Sequence, residues 1–341
     1  MYNKRVVLVL LILVLALAFI NLKEKDGFKK LLSRDKGEEL EIIRSDEYDF
    51  EITEDDGMRK TTLYFKDKQG LLVPLMRKIP WEEGIAKVTL KNMIDSAELR
   101  ESLASTGLSP IIPAGTEVMG MSIDEETGLC KVSFSDEILN QETEKDEENL
   151  IKGIVYTLTE FQGINNVQFL IGGEIIPNLN HGTDISGPIG REDINLAGDL
   201  DNSRSKVIAY YKGINMEEDF EYFVPVTIPT LAPAPNVYTA LETLFDGPPE
   251  GLELGSDIPE GTNFHGVDVK DGIAYVDISF DSGKLSEDDT TLNKMIKNIG
   301  LTLSEFNEIE KVEMLIDGKN LKETGIDLET NMTIPVFANE Q

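Results

Sequence analysis

Cysteine, histidine and tryptophan are nearly missing from this chain, and basic residues are half as common as acidic ones. A lone cysteine, Cys130, excludes any intramolecular disulfide. His181 and His265 are the only histidines and lie far apart, so a zinc site with several His or Cys ligands cannot be assembled. Against 63 acidic residues stand 32 basic ones, a formal charge of −31. A phosphate backbone would be repelled by such a surface, which excludes nucleic acid as a partner. Also lacking are a Gly-rich phosphate loop opening a helix and a Gly-x-Ser-x-Gly elbow. No cofactor is expected. The acidic residues are spread along the chain rather than gathered in a tail, so basic partners and loosely held divalent cations stay open.

What the chain does have is itself twice. Lys60-Thr61-Thr62-Leu63-Tyr64-Phe65-Lys66 recurs as Lys206-Val207-Ile208-Ala209-Tyr210-Tyr211-Lys212. Pro113-Ala114-Gly115-Thr116 recurs as Pro259-Glu260-Gly261-Thr262, and Thr157-Leu158-Thr159-Glu160-Phe161 as Thr302-Leu303-Ser304-Glu305-Phe306. The matches keep their order at a nearly constant offset, so whole domains were duplicated. Solenoid repeats are far shorter. The expected domains are 58–190 and 204–338, joined by a polar, turn-rich linker at 191–203.

Ahead of them, Val6 to Ile20 is an unbroken apolar run behind Lys4 and Arg5. Fifteen helical residues rise about 22 Å, somewhat less than a hydrocarbon core, with Lys4, Arg5 and Lys23 able to snorkel. Residues 1–22 therefore read as a signal anchor or as a signal peptide cleaved at Ala16-Leu17-Ala18. The anchor is preferred because the run continues through Phe19 and Ile20. No cysteine follows it for lipid attachment. Residues 23–57 are charged and weakly patterned, a stalk. Either reading of the N-terminus exports the rest of the chain and places it outside the cytoplasm.

Within each repeat the pattern predicts β-β-α-β-β-α-β, an α+β domain of antiparallel or mixed sheet with two one-sided helices. The first helix is expected to carry Leu90, Met93, Ile94 and Ala97 in one copy. In the other it carries Val237, Ala240, Leu241, Leu244 and Phe245. A hairpin follows, with Met119, Met121 and Ile123 matched by His265, Val267 and Val269 on an apolar face. The return strands alternate Cys130, Val132, Phe134 and Ala274, Val276, Ile278. Thr143-x-x-Asp146 and Ser286-x-x-Asp289 resemble capping boxes for the second helix.

Each residue capable of chemistry has a plainer structural reading. His265 is expected to be partly buried in its strand, and His181 to lie exposed on a loop. Cys130 is expected to be an inert core residue. Glu160 and Glu305 sit at helix C-termini, where negative charge opposes the dipole, so a hydrogen bond from a backbone amide is expected. Trp81 is expected to be a staple against the first helix, or else a partner-contact anchor. Asp281-Ser282-Gly283 and Asp199-Leu200-Asp201 do not complete a calcium loop.

This order of elements resembles the GerM domain of sporulation and spore-germination proteins, in tandem behind a membrane signal. The resemblance rests on the Tyr64-Phe65 and Tyr210-Tyr211 strands, on Gly128 to Ser135 and Gly272 to Ser279, on the repeated helix end, and on Val167–Gly173 and Val312–Gly318. It implies a non-enzymatic envelope scaffold or adaptor with other envelope sporulation proteins as partners. A binding module for peptidoglycan or its fragments is the alternative. The chain departs from the pattern in lacking the lipid-attached cysteine, and in placing Ser133 where the second copy has Asp277.

Overall fold

In a computed structural model the described residues are 52–53, 57–82, 84–198, 200–201, 203–279, 290–324 and 331–341. The expected anchor, most of the stalk, the Ser286-x-x-Asp289 cap and Asp281-Ser282-Gly283 lie outside them.

β-branched and aromatic residues at alternate positions build two long hairpins. β1 (Ile52–Thr53) adds to β2 (Met58–Lys66), which pairs antiparallel with β3 (Leu72–Pro80). In the second repeat β7 (Ser205–Ile214) pairs antiparallel with β8 (Glu221–Thr230). Each repeat has a second sheet. In the first, β4 (Val118–Asp124) and β5 (Leu129–Phe134) form a hairpin, and β6 (Asn166–Ile171) joins β5 in parallel. In the second, β9 (Asn263–Lys270), β10 (Ile273–Ser279) and β11 (Lys311–Ile316) repeat that arrangement. β12 (Lys319–Asn320) and β13 (Asn331–Thr333) extend it on β11.

The parallel pairs follow from the crossover helix between their strands, since a tight turn can join only antiparallel neighbours. Of the two sheets expected, antiparallel or mixed, the mixed one is formed. The α+β class holds.

The first helix differs between copies. The second repeat has one helix (Val237–Asp246) capped by Asn236, whose side chain accepts from Thr239 N–H. The first has two, α1 (Ile85–Lys91) and α2 (Ala97–Leu103). Its apolar spacing continues past Lys91, but Asn92 folds its side chain onto Val88 O and Ser96 opens a new helix by accepting from Leu99 N–H. Met93 and Ile94 therefore stand between helices, with Met93 fully buried there.

The second helix, Glu144–Leu158, begins at Thr143, whose hydroxyl oxygen accepts from Asp146 N–H at 3.1 Å. Asp146 does not complete a capping box. It accepts from the Thr143 hydroxyl and from Lys66 instead. Nor is this helix one-sided. Glu147, Asn149, Tyr156 and Thr157 are buried along with Leu150, Ile151, Ile154, Val155 and Leu158. One flank packs on β2, another on β6. Its counterpart runs Thr290–Leu303, with Leu292, Met295, Ile296, Ile299 and Leu303 buried.

The repeated helix-end threonine now has a role. Thr157 accepts from Tyr64 N–H at 3.2 Å, and Thr302 from Tyr210 N–H at 3.1 Å. Each satisfies a buried strand amide of its own repeat, and that requirement explains why both copies keep Thr at the helix end.

The two repeats close on each other across β3 and β8. Pro74 and Pro225 sit at matching places in these strands, opposite Tyr64 and Tyr210. Proline has no N–H to donate to a ladder. Two asparagines supply what the strands lack. Asn195 donates to Leu72 O and Pro225 O, each at 2.8 Å, and accepts from Leu72 N–H at 2.8 Å. Asn339 donates to Phe223 O at 2.8 Å and Pro74 O at 2.7 Å, and accepts from Phe223 N–H at 2.6 Å. Each carboxamide thus holds its own repeat twice and the other once, in the same pattern. The segment expected to be a polar linker holds fully buried Ile194 beside buried Asn195. Asn195 adopts φ 47°, which asparagine tolerates better than bulkier residues.

Asn195→Ala and Asn339→Ala should each lower stability by about 1–3 kcal/mol, because they strand buried backbone groups of both repeats. Urea denaturation followed by circular dichroism measures this, and each variant should still unfold in one transition.

Candidate functional site

An open groove of about 490 Å³ lies between the second helix of the first repeat and the chain from Thr183 to Glu192. Glu144, Glu148, Lys152 and Tyr156 line the helix side. Thr183, Asp184, Pro188 and Glu192 line the other. The walls are polar and the helix contributes apolar Ile151 and Val155 to the floor, both nearly covered.

Glu147 ties down the loop that leads into the far wall at Thr183. Its carboxylate is fully buried and accepts from His181 N–H at 2.7 Å and Thr183 N–H at 3.3 Å. Neighbouring Asn178 and Asp184 bridge across the base of this loop. His181 is exposed, as expected, and its Nε2 donates to Gln141 O at 2.8 Å. The loop is therefore tied to the start of the helix at three points. Sequence reasoning passed over Glu147, because a glutamate in Glu-Lys-Asp-Glu-Glu reads as one more solvated charge. Its placement one turn inside the helix, facing the core, was the available signal.

At its other end the groove reaches the seam between repeats. Tyr156 donates from its hydroxyl to Glu192 O at 2.5 Å, and its ring carries the Arg191 guanidinium 4.9 Å from the centroid. Arg191 also pairs with Glu160 and bonds to the Thr159 hydroxyl at 2.8 Å. Burial opposes the charge of Arg191, but Tyr64, Glu160 and Glu305 around it outweigh that and hold the guanidinium above its ordinary pKa. Glu305 accepts from the Tyr210 hydroxyl at 3.0 Å. So Glu160 and Glu305 are held by side chains at the seam, not by backbone amides as expected. Burial, with Glu160 or Glu305 nearby, pushes the Tyr64 and Tyr210 hydroxyls well above the usual phenol range.

The remaining candidates are structural. Cys130 is fully buried, and burial alone pushes its thiol up to about 12. His265 is not on a buried face. The β9–β10 register shifts between Asp277 and Ile278, leaving His265 as an extra residue in a β-bulge, exposed and 3.7 Å from Asp317. Met119 occupies the same bulge in the first repeat and is 57% exposed. A bulge inverts the alternation that placed both residues inside. Trp81 is 46% exposed. It stacks on Arg59, whose guanidinium lies 5.3 Å from the Trp81 ring and 5.1 Å from Phe161. Among the described residues no group of three His, Cys, Asp or Glu is placed to hold a metal ion.

A family model described as "Sporulation and spore germination" (Germane) matches residues 62–176 and 209–322. The chain is 29% identical over 289 residues to the spore germination protein GerM of Bacillus subtilis (strain 168), covering 81% of this chain and 77% of that one. It also resembles the solved tandem GerMN domains of the sporulation protein GerM from Bacillus subtilis. There the TM-score is 0.69 at 25% identity, over 83% of this chain and 99% of that chain.

Replacing Glu147 by Ala should free the His181 and Thr183 amides and loosen the groove wall. Hydrogen exchange across 178–185 should accelerate about 10-fold or more, as loss of one charged hydrogen bond of about 1.5–3 kcal/mol implies. Peptides from Thr290–Leu303 should be unchanged.

Proposed function

Since the chain belongs to the sporulation and spore germination family, we propose that it is a membrane-tethered, extracytoplasmic scaffold or adaptor without catalytic activity. The seam carries this reading. Two like domains are mated through reciprocal asparagines, so one chain presents two related surfaces in a fixed relation. Residues with chemical potential are engaged in holding the structure: Glu147 ties a loop, Glu160 pairs with Arg191, and Cys130 is sealed in the core. The apolar run Val6–Ile20 behind Lys4 and Arg5 supplies the tether.

The groove favours a second reading, a binding module for peptidoglycan or its fragments, because its polar walls converge on an open hollow. Sedimentation with purified peptidoglycan, wild type against Glu148→Lys, separates the two. A binding module co-sediments and the variant does not.

For the scaffold reading, tagged full-length protein should fractionate with membranes at its uncleaved mass and capture other envelope sporulation proteins. Incubated with peptidoglycan, it should leave the polymer intact. Soluble muropeptides, released by wild type but not by a single carboxylate variant, would show an enzyme instead. A soluble cytoplasmic protein with an intact N-terminus would remove the envelope role.

A further inference from the structure

We propose that the groove takes the stem peptide of peptidoglycan rather than its glycan, by holding a side-chain ammonium and a free carboxylate of one short segment. This rests on the second functional reading, in which the groove is a binding site.

The charges of the groove are laid out along a line. Glu144, Glu148, Lys152 and Tyr156 follow one another every four residues along the second helix of the first repeat, and all four line the hollow. Each such step rises about 6 Å. On the opposite wall Asp184 follows Thr183, whose N–H is held by Glu147, and so stands toward the Glu144–Glu148 end. Glu192 stands at the Tyr156 end, where its carbonyl accepts from the tyrosine hydroxyl. A cation entering the groove meets Glu144, Glu148 and Asp184, and an anion meets Lys152 about one helical turn further on.

These groups are not engaged with one another. Lys152 is half-buried and makes no hydrogen bond or ion pair with any described residue. Glu148 has a 3.5 Å contact with Lys145, exposed and of little worth. Asp184 accepts from Ser186 N–H through one oxygen. An acidic stretch by itself would be a solvated face. A half-covered lysine without a counter-ion is a different matter, because its desolvation is offset by nothing until a carboxylate arrives from outside. In the opposite wall Thr183 Oγ1 is buried and has no hydrogen-bond partner. Each wall thus holds a polar group whose partner the protein does not supply.

A glycan does not suit this layout. Pyranose rings stack on open aromatic faces, and Tyr156, the one aromatic among the lining residues, has none to offer. It is 4% exposed, packed against Tyr64 at 5.3 Å and under the Arg191 guanidinium at 4.9 Å. A neutral sugar also leaves the carboxylates and the lysine unanswered. A stem peptide answers both. Its diamino acid carries a side-chain ammonium, its γ-linked glutamate a free α-carboxylate, and the aliphatic chain between them can lie on Ile151 and Val155.

Equilibrium dialysis of the full chain in detergent tests this with two labelled probes, the stem tripeptide L-Ala-γ-D-Glu-diaminopimelate and tetra-N-acetylchitotetraose. The tripeptide should bind and the sugar should not. Lys152→Ala and Glu148→Gln should each weaken binding about 10-fold, as loss of one charged contact implies, and Glu308→Gln, at an exposed site on the second repeat, should leave it unchanged. Gly187→Phe should abolish it. Gly187 lines the groove, a β-carbon there meets nothing within 4 Å, and its φ is not left-handed, so the ring fills the hollow. Circular dichroism checks that each variant folds, and should Gly187→Phe not, Lys152→Ala and Glu148→Gln carry the test. Sedimentation with peptidoglycan keeps the two levels apart. If the polymer is bound and the tripeptide is not, the peptide assignment falls and the binding module stands. If neither is bound, both fall. Binding of the sugar instead, or tripeptide binding that survives the groove variants, would also overturn the proposal. So would equal binding of the all-L, α-linked peptide Ala-Glu-Lys, which would give the groove to a protein segment.

Discussion

Two prolines facing a seam without N–H groups are the constraint on which the rest of this molecule depends. Pro74 and Pro225 prevent β3 and β8 from joining into one continuous sheet. Their carbonyls, and those of Leu72 and Phe223, would be costly to bury unpaired. A side-chain amide is the one group that offers both donors and an acceptor in the shape of a peptide. Asn195 and Asn339 meet that need, and both lie on segments that leave one repeat and run along the other. The chain between the repeats is therefore structural.

Further ties close the seam at its edges, and they are not symmetric. Asp67 lies buried at the tip of the first hairpin, accepting from Gln69 and Leu71 N–H groups and from the Tyr222 hydroxyl of the other repeat. Its counterpart is Gly213, over which the Tyr222 ring lies too close for a β-carbon. Gln69 exchanges two hydrogen bonds with the backbone of Glu253, while Asn215 donates to Ser105 O. Gly107, at φ 69°, leaves room for Asn215, since a β-carbon there would stand 2.8 Å from that of Asn215. Symmetric at the centre and particular at the rim, the contact fixes which face of each repeat meets the other.

The order of the elements, the buried faces of both second helices and the return strands were legible in the sequence, because apolar periodicity and duplication reinforce each other there. Thr143 could be read as a cap from its position alone. Asn92 and Ser96 broke the first helix through side-chain hydrogen bonds that periodicity does not register. The seam was hidden for a different reason. Asn195 stands in a polar run and Asn339 lies just past the expected domain end at 338, so each resembles surface. Only the neighbouring strand of the other repeat turns them into core. Glu147 was concealed in the same way, by acidic neighbours that are solvated while it is not.

Differences between the copies show which requirements belong to backbone and which to side chain. Both β4 and β9 are sheet edges, and both carry a one-residue bulge at the same place. One copy puts methionine there and the other histidine. If the position served recognition by its side chain, two such different groups would be a poor way to keep it. A bulge twists an edge strand and spoils it as a template for pairing, whatever side chain it projects. Repeats that keep the bulge but vary its residue are therefore keeping the edges closed to strand addition. The interior shows the reverse case. Gly153 lets Ile111 and Leu72 pack onto the second helix of the first repeat, and Asn298 at the matching place donates to Tyr210 O, inside a fully buried site. There the backbone path is shared, and the side chain has been refitted to a different neighbour in each copy.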